Sequence, residues 1–331
     1  MRMSKSYRKS AVNWSKSRLW SGAVFILTLT LYACGSDLGE RFSQGQVDAG
    51  AYGRVQESTL TKLLTTYVDS NRMVRYSNWL QNSADIDLLN TTLEAMSRAD
   101  LSGLTLESRK SFYINAYNAM TLQLILSRYS STLGGDASPY PGERSIRNID
   151  RLDAKVWDHF KWKIAGRLVS LNDVENKILR PMGDARIHFA IVCASKGCPP
   201  ILNRAITSDQ IDAELESLSF DFVNSGRSTT ISVERNEIKT SQILSWFNED
   251  FVKSFGSVNK FFAKYVSGMD PSVAEGMRVK FRSYDWLLNE SVEPAEEPTE
   301  PTPNPSPSSS PAPNPPTGSG SESEIPETDS L

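Results

Sequence analysis

Apolar positions in the middle of the chain follow two different rhythms. Leu60, Leu63, Leu64, Tyr67 and Val68 recur at helical spacing and predict a helix. Ile86, Leu88, Leu89, Leu93 and Met96 predict a second. From Leu106 to about Tyr129 the chain is apolar nearly all round, with Phe112, Ile114, Tyr117, Met120, Leu122 and Ile125 among many others. A helix without a polar face is expected to be central and buried. Trp162 to Ser170 reads as a hairpin turning at Gly166, and Ser170-x-x-Asp173 as a capping box opening a short helix through Leu179. The run Ile187 to Cys193, broken only by His188, predicts a central strand. Thr207-x-x-Gln210 caps a helix through about Val223, Thr229–Val233 and Glu237–Lys239 form a second hairpin, and helices resume over Ser241–Phe255 and Val258–Val266. The expected class is α+β: one mostly helical domain around a small sheet, spanning residues 56–289.

The two ends do not share this patterning. Residues 1–33 carry six basic side chains and no acid, and residues 290–331 carry nine acids and no base. The remaining residues, 34–289, balance 30 bases against 30 acids, which argues against a broad nucleic-acid-binding face. That length buries a full core without covalent staples. Residues 290–331 hold eleven of the 17 prolines and too little apolar surface to offset ordering, so a disordered acidic Pro/Ser-rich tail is expected. Residues 34–55, with five glycines between Gly35 and Gly53, read as a flexible tether.

At the start, basic residues through Arg18 precede an apolar run from Leu19 to Ala33, too short for comfortable membrane spanning and suited to a signal peptide. It ends in Leu31-Tyr32-Ala33-Cys34-Gly35-Ser36, which resembles a bacterial lipobox with a bulky Tyr at its middle position. The resemblance implies cleavage before Cys34, lipid on that Cys, and a lipoprotein of the bacterial cell envelope. Gly35 rather than Asp follows, so sorting to the outer membrane is the default implication. Acyl chains hold firmly because each buried methylene contributes about 0.8 kcal/mol.

Five segments in order resemble the domain of unknown function 547 family: Ile114-Asn-Ala-Tyr-Asn-Ala-Met-Thr-Leu122, Ser170-Leu-Asn-Asp-Val-Glu-Asn-Lys-Ile-Leu-Arg180, His188-Phe-Ala-Ile-Val-Cys-Ala-Ser-Lys-Gly-Cys-Pro-Pro200, Trp246-Phe-Asn-Glu-Asp-Phe251 and Tyr284-Asp-Trp-Leu-Leu-Asn289. The resemblance covers about Arg75 to Asn289 and implies a fold unit more than a reaction. Relatives often carry His where this chain has Asn176, so a mechanism resting on that His cannot operate here.

Few residues can carry His- or Cys-based chemistry, for the chain has three cysteines and two histidines. Cys193 and Cys198 admit a disulfide, favoured by an exported setting and by Gly197 permitting a tight turn. They also admit a nucleophile at Cys193, just past a buried strand, or two free thiols. His188 is the nearest candidate base, although strand alternation would turn it away from Cys193. A buried His188 bonded to Glu175 or Asp285 is the plainer reading. His159 could complete a zinc set with the cysteines and His188, but the spacing fits no usual pattern, and neither metal nor cofactor is expected. Asn115 and Asn118 share one helix face, as a structural network or as amides lining a cleft. Glu175 and Arg180 read as an internal ion pair or as a catalytic acid with its partner. Trp246, Phe247, Phe251, Tyr284 and Trp286 read as core aromatics, with Asp250 and Asp285 holding indole or amide donors.

Two functions follow. One is a non-catalytic binding or scaffold module of the envelope, attached to membrane lipid through Cys34, with an envelope protein or peptide as partner and no nucleic acid. The alternative is a thiol-dependent hydrolase or acyl transferase using Cys193, with His188 as base, Asn118 as amide donor and Glu175 in support. A cysteine-protease-like or transglutaminase-like fold would suit it. Those folds place the nucleophile at the start of a central helix, however, where this chain offers Ser111.

Overall fold

The structure is a computed structural model that describes residues 49–129, 143–149 and 155–291, with side chains from Gln56 onward. The expected signal segment, Cys34 and the tail beyond Ser291 lie outside those residues. Among the described residues no helix is long and apolar enough to cross a membrane.

The fold is α+β. Helix α1 (Ala49–Tyr67) packs on α2 (Ser83–Ser97), which packs on α3 (Leu106–Arg128). Leu60, Leu63, Leu64 and Tyr67 bury one face of α1, as their spacing predicts. Helix α1 begins inside the stretch expected to be tether, because Leu60 and its neighbours supply a packed end from which the helix extends back to Ala49. Side chains accept the free N–H groups where α2 and α3 begin: Asn82 from Asp85 and Thr105 from Ser108. From Tyr113 to Leu126, α3 is buried at nearly every position. Each fully buried aliphatic side chain there contributes about 1.5–3 kcal/mol.

The hairpin of β1 (Trp162–Ile164) and β2 (Arg167–Val169) turns at Ala165-Gly166, both at positive φ, which matches the right-handed twist of the strands. Its turn N–H groups donate to Met96 O and Ser97 O at the end of α2. The Ser170–Asp173 capping box forms, and the helix it opens passes into a π-turn over Val174–Leu179. Helix α4 (Ile211–Asn224) follows, without a side-chain cap from Gln210. A second sheet has the order β3 (Thr230–Ser232), β4 (Glu237–Thr240), β5 (Arg278–Phe281). The first pair is antiparallel and the second parallel. Strand β5 went unpredicted, since its short alternation sits far from its partner in sequence.

Two elements differ from expectation. Ile187–Cys193 is not a strand: Ala185–Phe189 is a 3₁₀ turn capped by Asp184, followed by bends. A run buried on all sides carries no period by which strand and turn could be told apart. The expected helix over Ser241–Phe255 breaks at Phe247, leaving Ile243–Trp246 and α5 (Asn248–Phe255), after which comes α6 (Val258–Tyr265). The folded body also extends past Asn289. Glu290 pairs with Val74 and is held by Tyr129, Ser77 and Arg144, and Ser291 bonds Val74 and Asp69. The expected tail boundary at Glu290 is therefore two residues early.

Candidate functional site

Helix α3 anchors the site through two amides. Asn118 Nδ2 donates to Ala190 O (2.9 Å) and its Oδ1 accepts from Val192 N (2.9 Å). Asn115 clamps Ile206 the same way, at 2.8 and 2.9 Å. Each side chain replaces a neighbouring strand, supplying a donor and an acceptor to buried backbone that would otherwise lack them. Asn118 thus spends its amide on the backbone between His188 and Cys193. It does not line the cavity described below, and the expected donor to a substrate is a positioning residue.

With no strand at 187–193, the alternation that would separate His188 from Cys193 disappears. Both line one cavity of about 510 Å³. Its wall is aromatic: Trp157, Trp246, Phe247, Tyr284 and Trp286. Tyr284 lies 4.8 Å from Trp246 and 4.5 Å from Trp286 between ring centroids, and Trp157 lies 5.7 Å from Trp286. Trp246 is 47% exposed, so it belongs to the rim and not to the core as expected.

Polar groups collect at the inner end. His188 stacks on Phe247 at 3.8 Å, and its Nε2 lies 2.8 Å from Asp250 Oδ2. Arg180 grips the same carboxylate twice, Nε to Oδ2 at 2.6 Å and Nη2 to Oδ1 at 3.1 Å. The break at Phe247 places Asp250 in the first turn of α5, where a helix N-terminus favours negative charge. Burial works to raise the Asp250 carboxyl, but the hydrogen bonds from His188 and Arg180 prevail and hold it well below the usual range. His188 Nδ1 is buried without a hydrogen-bond partner, and Glu175 Oε1 stands 3.8 Å away. Burial pushes the Glu175 carboxyl up to about 7, against the opposing pull of Arg180. Burial likewise lowers His188, with Asp250 acting against it. Glu175 sits on the π-turn, a distortion found mostly at functional sites. Asn176 bridges Asn172 and Arg180, at 2.6 and 2.7 Å.

Arg180 therefore pairs with Asp250 and not with Glu175, and His188 takes Asp250 as its close partner instead of Asp285. Asp285 accepts from Leu287 N. Asp250 holds an imidazole and a guanidinium, not the indole or amide donors expected of it, because its role depends on where a helix breaks.

Cys193 and Cys198 have their Cα atoms 6.4 Å apart and their sulfurs at disulfide distance. Cys198 Sγ also takes the Cys193 N–H at 3.0 Å and the Tyr284 hydroxyl at 3.1 Å. Ala194 supplies the positive φ of this loop, where Gly197 was expected to. Gly197 is needed for a close approach: a Cβ there would stand 2.9 Å from the Asp285 backbone. Lys196 and Gly197 donate to Leu287 O and Asp285 O, and Ser195 pairs with Leu288, so the segment 284–289 braces the cysteine loop. His159 is exposed against Phe160, and among the described residues no group of three or more His, Cys, Asp or Glu side chains is placed to hold a metal.

A second hollow of about 590 Å³ is lined by Lys110, Asp184, Arg186, Glu216 and Lys264. Its charges satisfy one another, with Arg186 alone reaching Asp184, Asp212 and Glu216.

Residues 101–223 match a family model described as "Protein of unknown function, DUF547". The match takes in the segments 114–122, 170–180 and 188–200, while 246–251 and 284–289 lie beyond it. Neither a curated protein nor a solved structure matches the chain.

Proposed function

Since residues 101–223 match the DUF547 family model, we propose that this fold serves here as a small-ligand binding module of the bacterial cell envelope. The observation that carries the reading is an aromatic-walled cavity whose inner end holds an unpartnered buried nitrogen, His188 Nδ1, beside a carboxyl poised near neutrality, Glu175. Buried polar groups are normally satisfied, so an unsatisfied nitrogen beside a carboxyl whose one side-chain donor is Tyr117, at 3.4 Å, suits a ligand that supplies the missing bond. The ligand class is a compact molecule with an apolar or aromatic face and one hydroxyl or amine. Attachment to membrane lipid through Cys34 is part of the proposal and rests on the lipobox-like sequence.

Indole N–H signals in ¹⁵N-correlated spectra test the cavity. Millimolar hydroxylated and amine fragments should shift Trp157, Trp246 and Trp286, and Glu175→Gln should weaken the effect. A panel that moves none of the three indoles would refute a binding cavity. For the anchor, Cys34→Ser should shift the protein from the membrane fraction to a soluble one, and equal retention of both forms would remove that part. A thiol-dependent hydrolase using Cys193 has in its favour that Cys193 and His188 line one cavity. It requires a free Cys193, whose sulfur stands at bonding distance from Cys198.

A further inference from the structure

The two sulfurs of the Cys193–Cys198 pair are chemically unequal. Cys193 is only half-buried, whereas Cys198 is 6% exposed. Both line the cavity. The inner sulfur has the backbone donor: the Cys193 N–H points at Cys198 Sγ at 3.0 Å and the Tyr284 hydroxyl lies 3.1 Å from it, while Ser195 Oγ stands 3.2 Å from Cys193 Sγ. Ser195 donates its own hydroxyl to Tyr284 Oη at 3.1 Å, which leaves the phenol proton free for sulfur. Burial keeps that phenol protonated. Tyr284 Oη is also 3.3 Å from Cys193 Sγ, but one proton serves one sulfur at a time.

In thiol–disulfide exchange the rate depends on which sulfur can be reached and on how well the departing sulfur holds negative charge. Here the reachable sulfur and the charge-stabilised sulfur are different atoms. From that asymmetry we infer that Cys193–Cys198 is an exchange-active disulfide whose substrate is a thiol entering the aromatic cavity. The incoming thiolate, ionised in solvent, attacks Cys193 Sγ. A new sulfur–sulfur bond forms between substrate and Cys193 as the Cys193–Cys198 bond breaks. The electron pair goes to Cys198 Sγ, which leaves as a thiolate bonded by the Cys193 N–H and the Tyr284 hydroxyl. A second thiolate then displaces Cys193 Sγ, giving the substrate disulfide and the reduced pair. Two substrate thiols are oxidised and one protein disulfide is reduced, so the electrons balance. The assignment rests on the proposed cavity being open to small molecules.

Glutathione is the probe, applied to full-length protein purified without reductant and followed by alkylation and mass spectrometry. Wild type should be reduced in the native state, and Tyr284→Phe about tenfold more slowly, the effect of losing one hydrogen bond to a developing anion. Equal rates in the two proteins would overturn the assignment while leaving the binding cavity standing. The single-cysteine variants decide independently if Tyr284→Phe folds poorly. With glutathione disulfide, Cys198→Ser should acquire an adduct on Cys193, and folded Cys193→Ser should stay unmodified at Cys198. The reverse pattern overturns the inference. A disulfide that resists glutathione in the native state yet yields at once in urea would overturn both this and the open cavity.

Discussion

Replacing Glu175 by Gln removes one titrating group from the inner end of the cavity and leaves its shape nearly intact. The carboxyl moves from its ordinary 4.5 up to about 7 on folding, driven first by burial. Between those values the folded protein binds a proton that the unfolded chain releases, so this group's contribution to stability falls as pH rises. Each pH unit of the window is worth about 1.4 kcal/mol, which makes the full passage about 3 kcal/mol. For a domain of this size that corresponds to roughly 6–12 °C in Tm, at about 2–4 °C per kcal/mol. His188 acts in the opposite sense. Its value is depressed below 6.5, so its contribution rises with pH up to that point. Raw pH–stability curves therefore mix two slopes, and the informative quantity is the variant's stability minus that of wild type at each pH. Urea unfolding followed by tryptophan fluorescence supplies it. The difference should grow in favour of Glu175→Gln by about 3 kcal/mol between pH 4.5 and pH 8. A difference that stays flat across that range would show that Glu175 ionises normally and that the inner end of the cavity is well hydrated.

Three other perturbations probe the scaffold. Asn118→Ala leaves Ala190 O and Val192 N without partners in the core and should destabilise by about 2–5 kcal/mol, measured by urea unfolding. Gly197→Ala drives a Cβ into the Asp285 backbone, and calorimetry should show a loss of about 1–3 kcal/mol; an unchanged Tm would mean that segment 284–289 is not packed on the cysteine loop. Truncation after Ser291 should leave Tm within a degree or two, whereas truncation after Asn289 should lower it by several degrees, since Glu290 and Ser291 make several hydrogen bonds worth about 1 kcal/mol each.

Helices and hairpins were legible in the sequence wherever one face is buried and the other wet. Leu60 to Tyr67, the Ser170–Asp173 box and the Gly166 turn all carry such local signals. The Ile187–Cys193 run carries none, because every position from Ile187 to Val192 is buried and a side chain of α3 satisfies its backbone. Asn118 was visible as a buried amide, but its targets lie 72 and 74 residues away and no local pattern names them. The candidate site shows the same division. Glu175, His188 and Cys193 were singled out by residue type within motifs. Asp250 and Tyr284 acquire their roles only through packing: Asp250 because a helix breaks at Phe247, Tyr284 because Gly197 lets the 284–289 segment come close. Strand β5 was invisible for a related reason, since a parallel partner forms only after an intervening run of helices folds.

The way the chain leaves its folded body has a mechanical consequence. A load applied beyond Ser291 is borne first by the bonds of Ser291 to Asp69 and Val74, and by the grip of Tyr129, Ser77 and Arg144 on Glu290. Should those yield, the next links in series are Asn289 N to Ala194 O and the Ser195–Leu288 pairing. Past them lies Tyr284, whose hydroxyl rests on Cys198 Sγ. Tension on the tail thus runs along the strap that roofs the cysteine loop, and Glu290 is the latch that keeps such a pull from reaching the sulfurs.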